Sequence, residues 1–196
     1  MNKDGFTLIE ALVVVSIIII LAVALGSQFS GWTTRYNVES QIKTIQADLM
    51  DARQRAMERN VQYVAQMPAA IGTGYVICED ANGNNVCDAA ETTTTISQTL
   101  SKSALSYPIT WNLPGLAGAS LVMNTKGLLK TVQAGGAQTD IDNTAPDSIL
   151  VLNPVTNAPY GPTATNTANQ VDYDCISLSS IRIGLGKYNG TTCVVK

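Results

Sequence analysis

Apolar residues are concentrated near the start of the chain, where one long run contains a single charge. Residues 6–25 read FTLIEALVVVSIIIILAVAL, and Glu10 is the one charged residue among them. A helix of this length spans about 30 Å, which matches the hydrocarbon core of a bilayer. The pattern predicts a transmembrane helix after a short polar leader, MNKDG. Because that leader carries one lysine, we expect the N-terminus inside the cytoplasm and the rest of the chain outside.

A second periodic pattern extends the helix beyond the apolar run. Apolar residues recur there at spacings of three and four, which is typical of one helix face. These residues are Ile42, Ile45, Leu49, Ala52 and Ala56. We predict one helix from about Phe6 to Arg59, with Asn60 as its stop. The stripe lasts too few heptads for a free coiled coil, which favours packing on the protein's own domain.

From Val61 onward the pattern changes to short runs rich in β-branched residues, separated by turn residues. The runs are VQYVAQM, GYVICE, TTTTISQTL, ALSYPITWNL, ASLVMNT, KTVQA, SILVLN and CISLSSIRIGL. Residues 155–170 are polar and contain proline, which predicts an exposed loop. The sequence therefore predicts an α+β fold: a leader (1–5), a long N-terminal helix (6–60), transmembrane (6–25) and then amphipathic, and an antiparallel β-rich exported domain (61–196).

The charge inside the apolar run needs a physical reason, because a carboxylate at membrane depth costs roughly 2.5–3.5 kcal/mol. If the leader is cut between Gly5 and Phe6, the new N-terminus is an ammonium at the tip of an apolar helix. Glu10 then lies one turn from that tip. When helices pack with an axial stagger, the Glu10 carboxylate of one chain meets the ammonium of its neighbour, and such a pair sets register more than it adds stability.

The stretch Gly5-Phe6-Thr7-Leu8-Ile9-Glu10, followed by the apolar run, resembles the N-terminus of type IV pilins and pseudopilins. The resemblance implies cleavage after Gly5 by a prepilin peptidase, N-methylation of Phe6, and Glu10 as the assembly glutamate. It implies other pilins or pseudopilins and an inner-membrane assembly platform as partners. The alternative is a plain single-pass anchor with a chance glutamate.

A second stretch, DLMDARQRAMERN (48–60), is similar to the helix end of the GspH/FimT-like minor pilins and pseudopilins. This resemblance implies a minor subunit that assembles into, or tips, a type IV pilus or a type II secretion pseudopilus. The protein would begin in the inner membrane, with its C-terminal domain in the periplasm or outside, and end in a filament. The common helix-breaking proline is absent, and Leu25-Gly26-Ser27 stands in its place.

Composition argues against an enzyme. The 196-residue chain carries a net charge of −3 and no histidine, so it lacks the commonest general base and metal ligand. There is no phosphate-binding loop and no Gly-x-Ser-x-Gly elbow. We therefore expect no catalytic residue.

One segment of the exported domain has the oxygen spacing of a calcium loop. Counting from Asp80, side-chain oxygens and one carbonyl fall at places 1, 3, 5, 7, 9 and 12. The candidate ligands are Asp80, Asn82, Asn84, the Val86 carbonyl, Asp88 and Glu91. Place 6 is Asn85 where glycine is usual, and the flanks are not helical. The alternative is an Asn/Gly-rich hairpin turn tied at its base by a disulfide.

Four cysteines lie in the exported domain, which fits an oxidising compartment. We favour the pairs Cys78–Cys87 and Cys175–Cys193, because each closes a short loop. The second is worth roughly 3 kcal/mol in the chain-entropy model. A four-thiolate zinc site is the alternative, but no Cys-x-x-Cys spacing supports it.

DNA is a further candidate partner. Residues 61–196 carry six Lys or Arg and nine Asp or Glu, which disfavours broad nucleic-acid binding. After Asp174, however, basic residues occur without acids. Arg182 and Lys187 resemble a thin version of the basic C-terminal patch with which FimT-like competence pilins hold DNA. The alternative is a solvated strand face.

Overall fold

The structure is a computed structural model of the chain. It describes residues 7–68, 71–88, 91, 100–102, 105–111, 120–132, 137–141, 147–152, 154, 156–157, 159–160 and 171–196. For residues 24–31 and 100–102 it describes the backbone alone. The predicted α+β fold is confirmed: a long N-terminal helix packs on a C-terminal antiparallel β-sheet domain.

A single helix, α1 (Leu8–Arg59), runs for 52 residues, or about 78 Å. The Thr7 side chain caps its start by accepting a hydrogen bond from the Glu10 main-chain nitrogen. At its end Asn60 adopts the left-handed conformation, with φ 54°, which asparagine tolerates better than most residues. The predicted stop at Asn60 is therefore confirmed.

The N-terminal part of α1 is exposed along its length. Leu8 is 82% exposed, and Val23 is 75% exposed. No helix in the part of the chain that the structure describes is both long and apolar enough to cross a membrane. The transmembrane segment predicted at residues 6–25 is thus not found among the described residues; Phe6 and the side chains of residues 24 and 25 lie outside them.

The C-terminal part of α1 buries one face completely. Six apolar residues along it have no exposed surface, and they recur every three or four positions. They are Val38, Ile42, Ile45, Leu49, Ala52 and Ala56. This confirms that the stripe packs on the protein's own domain rather than forming a free coiled coil.

Strands that follow the helix form two sheets, in which every described pairing is antiparallel. They are β1 (Tyr63–Gln66), β2 (Tyr75–Glu79), β3 (Leu100–Lys102), β4 (Ile109–Trp111), β5 (Ser120–Met123), β6 (Leu129–Val132), β7 (Gln138–Asp140), β8 (Asp147–Val151), β9 (Cys175–Leu178), β10 (Ile183–Tyr188) and β11 (Cys193–Val195). The first sheet has the order β3-β2-β1-β5-β6-β7, and the second has the order β11-β10-β9-β8-β4.

Both sheets share one core with the helix. Side chains such as Tyr63 and Leu121 from the first sheet, and Ile149 and Ile176 from the second, join the helix stripe in a single buried cluster. Fully burying side chains of this size contributes about 1.5–3 kcal/mol each. The helix is therefore fixed to the domain as part of its core.

Each sheet also carries a small apolar cluster on its other face, and each cluster contains a disulfide. The bond Cys78–Cys87 lies with Val64 and Val122 on the first sheet. The bond Cys175–Cys193 lies with Leu150 on the second. Both predicted pairings are confirmed, and they tie loops over surfaces that the helix does not reach.

Some strand predictions need correction. The run predicted as one strand, CISLSSIRIGL, is divided into β9 and β10 by a turn in which Ser179 and Arg182 exchange main-chain hydrogen bonds. The edge strands β7 and β11 have no counterpart among the predicted runs. Most of the predicted strand TTTTISQTL (92–100) and most of the predicted loop at 155–170 lie outside the described residues.

Candidate processing and assembly site

The first turn of α1 places Thr7 and Glu10 in direct contact. Thr7 has extended backbone angles, and its Oγ1 accepts a hydrogen bond from the Glu10 nitrogen at 3.4 Å. The Thr7 carbonyl oxygen accepts another from Ala11 N at 3.2 Å. This Thr-x-x-Glu spacing is that of a capping box, and an acid in the first turn is favoured by the helix dipole. The predicted processing residues, Gly5 and Phe6, lie outside the described residues.

The surface around Glu10 is apolar and exposed. Each of the neighbouring apolar side chains is between 45% and 82% exposed. They are Leu8, Ile9, Leu12, Val13, Val14, Val15, Ile17, Ile18, Ile19, Ile20 and Leu21. An apolar surface of this extent marks a site that binds other proteins or a membrane. Glu10 is thus an exposed acid at the edge of an apolar surface to which other proteins or a membrane would bind.

Comparison with known proteins bears on this segment. Residues 1–26 match the family model described as the prokaryotic N-terminal methylation motif. This motif supports a type IV pilin-like protein. No curated protein and no solved structure gives a significant match to the chain.

The match suggests a type IV pilin-like substrate of prepilin peptidase. It implies membrane-anchored processing, followed by interaction with other pilins in a filament. The match ends at residue 26, before the folded domain. Membership of the GspH/FimT branch therefore stays a prediction.

The predicted calcium loop is organised around Asp80, which is 4% exposed. Its Oδ1 accepts hydrogen bonds from Gly83 N at 2.8 Å and Asn84 N at 3.1 Å. Its Oδ2 accepts them from Asn85 N at 3.0 Å and Gln62 Nε2 at 2.6 Å. Asn85 takes the left-handed conformation there, with φ 63°. The turn is therefore closed by one buried carboxylate.

Three other predicted ligands converge on one another. Asn82 Nδ2 and Asn84 Nδ2 each donate to Asp88 Oδ2 at 2.8 Å. The amide oxygens of Asn82 and Asn84 accept from the main-chain nitrogens of Asn84 and Val86, at 2.9 Å each. Val86 itself is exposed. Two carboxamides and one carboxylate thus meet at the open side of the loop.

Glu91, the last predicted ligand, closes the loop from its far end. Its Oε1 accepts from Ala81 N at 2.9 Å, and its Oε2 accepts from Asp88 N at 3.1 Å. Within the described residues, no three His, Cys, Asp or Glu side chains are grouped so that they hold a metal ion. Amide and main-chain oxygens are also calcium ligands, and this loop is rich in them. Calcium binding stays a prediction.

The two predicted DNA contacts are not brought together. Arg182 is exposed just before β10, whereas Lys187 is half-buried within it and donates a hydrogen bond from Nζ to the Val171 carbonyl oxygen. They lie five positions apart, Arg182 in the turn that precedes the strand and Lys187 near the end of the strand. Lys196, the next basic residue, pairs with Asp172 at 3.3 Å. DNA binding by Arg182 and Lys187 stays a prediction.

A cluster that the sequence analysis missed joins the helix to the C-terminal end of the chain. Glu39 Oε1 accepts hydrogen bonds from Arg35 Nε at 3.2 Å and from Asp172 N at 2.8 Å. Arg35 also pairs directly with the Asp172 carboxylate. The hydrogen bond from Lys196, with help from Arg35, lowers the pKa of Asp172. Arg35 and Glu39 lie more than 130 positions from Asp172, so no local sequence signal reveals the contacts between them.

Proposed function

We propose that this protein is a minor pilin or pseudopilin that assembles into, or tips, a type IV pilus or a type II secretion pseudopilus. Prepilin peptidase cuts it after Gly5 and methylates Phe6. The observation that carries the proposal is the methylation motif at residues 1–26, which includes the start of a long helix whose other end packs into a folded domain. In a subunit of a helical filament, the helix packs against neighbouring subunits and the domain lies outside the membrane.

Assembly in this proposal is directed by charge. The freed ammonium of Phe6 and the carboxylate of Glu10 are each costly in hydrocarbon, and they neutralise one another when neighbouring helices pack with an axial stagger. Apolar packing along residues 8–23 supplies attraction at many registers, whereas the charge pair favours one. Glu10 is therefore proposed to set the stagger between subunits.

The pilin's own fold supports a mechanical role. Ile42, Ile45 and Leu49 are fully buried against both sheets, so force on the helix passes directly into the core of the exported domain. The two disulfides secure loops on the opposite faces of the sheets. Such a subunit moves as a rigid body when the filament is extended.

DNA uptake through Arg182 and Lys187 is the alternative function. Arg182 lies in the turn before β10, whereas Lys187 lies within β10 and donates a hydrogen bond to the Val171 carbonyl oxygen, and this difference favours assembly over the alternative. Salt-dependent retention of DNA by the protein, lost in the double variant Arg182→Ala, Lys187→Ala, would support the alternative. Unchanged retention would remove it.

We further propose that the loop 80–91 takes one calcium ion, with Asp88 and the carboxamides of Asn82 and Asn84 on its open side. The proposal is supported by the oxygen spacing of the loop and by the position of Asn82 and Asn84 next to Asp88. Both carboxamides present Nδ2 to the Asp88 carboxylate, so calcium binding requires them to turn their oxygen atoms toward the ion. When bound, the ion supplies charge neutralisation for the carboxylates. Its role is to stabilise the loop, which is tied to the first sheet by Cys78–Cys87.

The assembly proposal is tested by Glu10→Val in the native host. We expect this variant to enter the membrane, lose its leader and fold, but to appear in sheared filaments far below wild-type level. Glu10→Asp is the matched control, because it keeps the charge and should assemble better than Glu10→Val. Normal incorporation of Glu10→Val would contradict the proposed register.

A further inference from the structure

The turn between β10 and β11 carries Asn189-Gly190-Thr191, which is the one Asn-x-Ser/Thr triplet in the 196-residue sequence. All three residues are exposed. Such a triplet, with a middle residue other than proline, is the acceptor for N-linked glycosylation when it lies on the surface of an exported protein. The triplet and its exposure together make this turn a candidate modification site.

The geometry of the turn directs the Asn189 side chain. Its Oδ1 accepts hydrogen bonds from Thr191 N at 2.9 Å and Thr192 N at 2.8 Å. Its main-chain nitrogen donates to the Thr192 carbonyl oxygen at 3.0 Å, which closes the hairpin. The carboxamide oxygen is thus occupied by the turn, and Nδ2 is the atom of the side chain left for chemistry.

The surroundings are open. Gly190 has φ +103°, and among the described residues no atom other than those of its two chain neighbours lies within 4 Å of where a Cβ would stand. The base of the hairpin is held by the disulfide Cys175–Cys193, one residue beyond Thr192. A bulky group on Asn189 therefore projects outward without disturbing the core.

We propose that Asn189 is an N-glycosylation site, modified after export by a membrane-bound transferase that uses a lipid-carried saccharide diphosphate. This inference rests on the proposed function in one respect, because it requires the domain to lie outside the cytoplasm. It adds a modification at the end of the chain opposite the processing site.

The chemistry is a group transfer without oxidation. The Nδ2 of Asn189 forms a bond to C1 of the saccharide, and the bond from C1 to the diphosphate oxygen breaks. The lipid diphosphate leaves with the electron pair, and Nδ2 gives up one proton to a base of the transferase. The hydrogen bonds from Thr191 N and Thr192 N to Oδ1 hold the carboxamide in place while Nδ2 reacts.

The chain offers an internal control. Asn124 also accepts two main-chain hydrogen bonds within a hairpin turn, from Lys126 N at 2.9 Å and Leu128 N at 2.8 Å to its Oδ1. Its third position is Lys126, so it lacks the hydroxyl that the transferase requires. Asn124 should therefore remain unmodified in the same protein.

The test uses full-length protein purified from its native host, reduced and digested with trypsin. Residues 188–196 form one peptide, YNGTTCVVK, after cleavage at Lys187. We expect mass spectrometry to find this peptide with a saccharide on Asn189, and the Asn124 peptide without one. Asn189→Asp and Thr191→Ala should each remove the saccharide, whereas Thr191→Ser should keep it. Asn189→Asp preserves the oxygen that holds the turn, so loss of modification there is not loss of folding.

Two results would overturn the inference. The first is native protein in which the 188–196 peptide is entirely unmodified. The second is a saccharide that persists in Asn189→Asp, which would place it on a threonine hydroxyl. The intact mass of the same sample reports leader removal separately, so an unmodified Asn189 in a processed chain refutes this inference alone. A glycosylated chain that keeps its leader refutes the pilin proposal alone.

Discussion

Arg53 of the helix donates a hydrogen bond from Nε to the main-chain oxygen of Gly127, at 2.6 Å. Its Nη1 donates a second, at 2.9 Å, to the main-chain oxygen of Ile181. Gly127 lies in the β5–β6 turn of the first sheet, and Ile181 lies in the β9–β10 turn of the second. One helix side chain therefore holds the ends of both sheets.

We expect Arg53→Met to lower the free energy of unfolding of the exported domain by about 2–4 kcal/mol, because two hydrogen bonds to a charged donor are lost. Arg53→Lys should fall between that variant and wild type, since an ammonium cannot reach two turns as a planar guanidinium does. Chemical denaturation of the full chain in detergent measures the effect.

The matched control is Arg55→Met, whose ion pair with Asp51 at 2.8 Å lies within the helix. A helix surface pair of this kind contributes about 0.3–0.5 kcal/mol. If Arg53→Met and Arg55→Met prove equally mild, the proposed role of Arg53 is wrong.

Asp147 gives the domain a distinctive pH dependence. Burial raises the pKa of Asp147 to about 6, from an ordinary value of 3.8. Between those values the folded protein holds a proton that the unfolded chain has released, so this residue's contribution to stability falls as pH rises from about 4 to 6. Above pH 6 the folded domain carries a half-buried charge.

We therefore expect Asp147→Asn to be more stable than wild type at pH 7, by about 1 kcal/mol, and to match it at pH 4. The figure allows for the solvent that still reaches this half-exposed carboxylate. Thermal melting at both pH values is the measurement. A difference that is the same at pH 4 and pH 7 would count against this explanation.

Calcium is expected to raise the melting temperature of the protein relative to EDTA, by on the order of 5 °C at saturating ion. Asp88→Asn should abolish the increase, because it removes the carboxylate on which two carboxamides converge. Asp51→Asn is the control, since Asp51 lies on the helix away from the loop. Identical melting in calcium and EDTA would leave a plain disulfide-tied turn.

The helix could be predicted from the sequence because its signals are local. The apolar run, the stripe ending at Ala56 and the stop at Asn60 each follow from the spacing of neighbouring residues. The two disulfides were likewise favoured by short separations of 9 and 18 positions. Where the contacting residues are close in sequence, the residue pattern and the side-chain chemistry were sufficient to predict the contact.

The arrangement of strands in two sheets could not be predicted. Strand β1 pairs with β5, far along the chain, and that choice depends on packing around the helix rather than on either segment alone. Edge strand β7 is three residues long and fully exposed, so it carries no alternation of apolar and polar residues. The bridging role of Arg53 could not be predicted either, because both of its acceptors are main-chain oxygens, which every residue carries.

The candidate sites also divide into those with a local sequence signal and those without one. Glu10 stands out in the sequence because a single charge interrupts an apolar run, and the structure places it in the first helical turn. Arg182 and Lys187 are near in sequence, but the first lies in the β9–β10 turn and the second within β10. Their short separation in sequence therefore did not predict that the two residues have different surroundings.

The mass of the intact protein from its native membrane tests the central claim most directly. We predict a chain that begins at Phe6 and carries one additional methyl group at its amino terminus. A native protein that retains Met1 to Gly5 would contradict the claim that this chain is processed and assembled as a pilin.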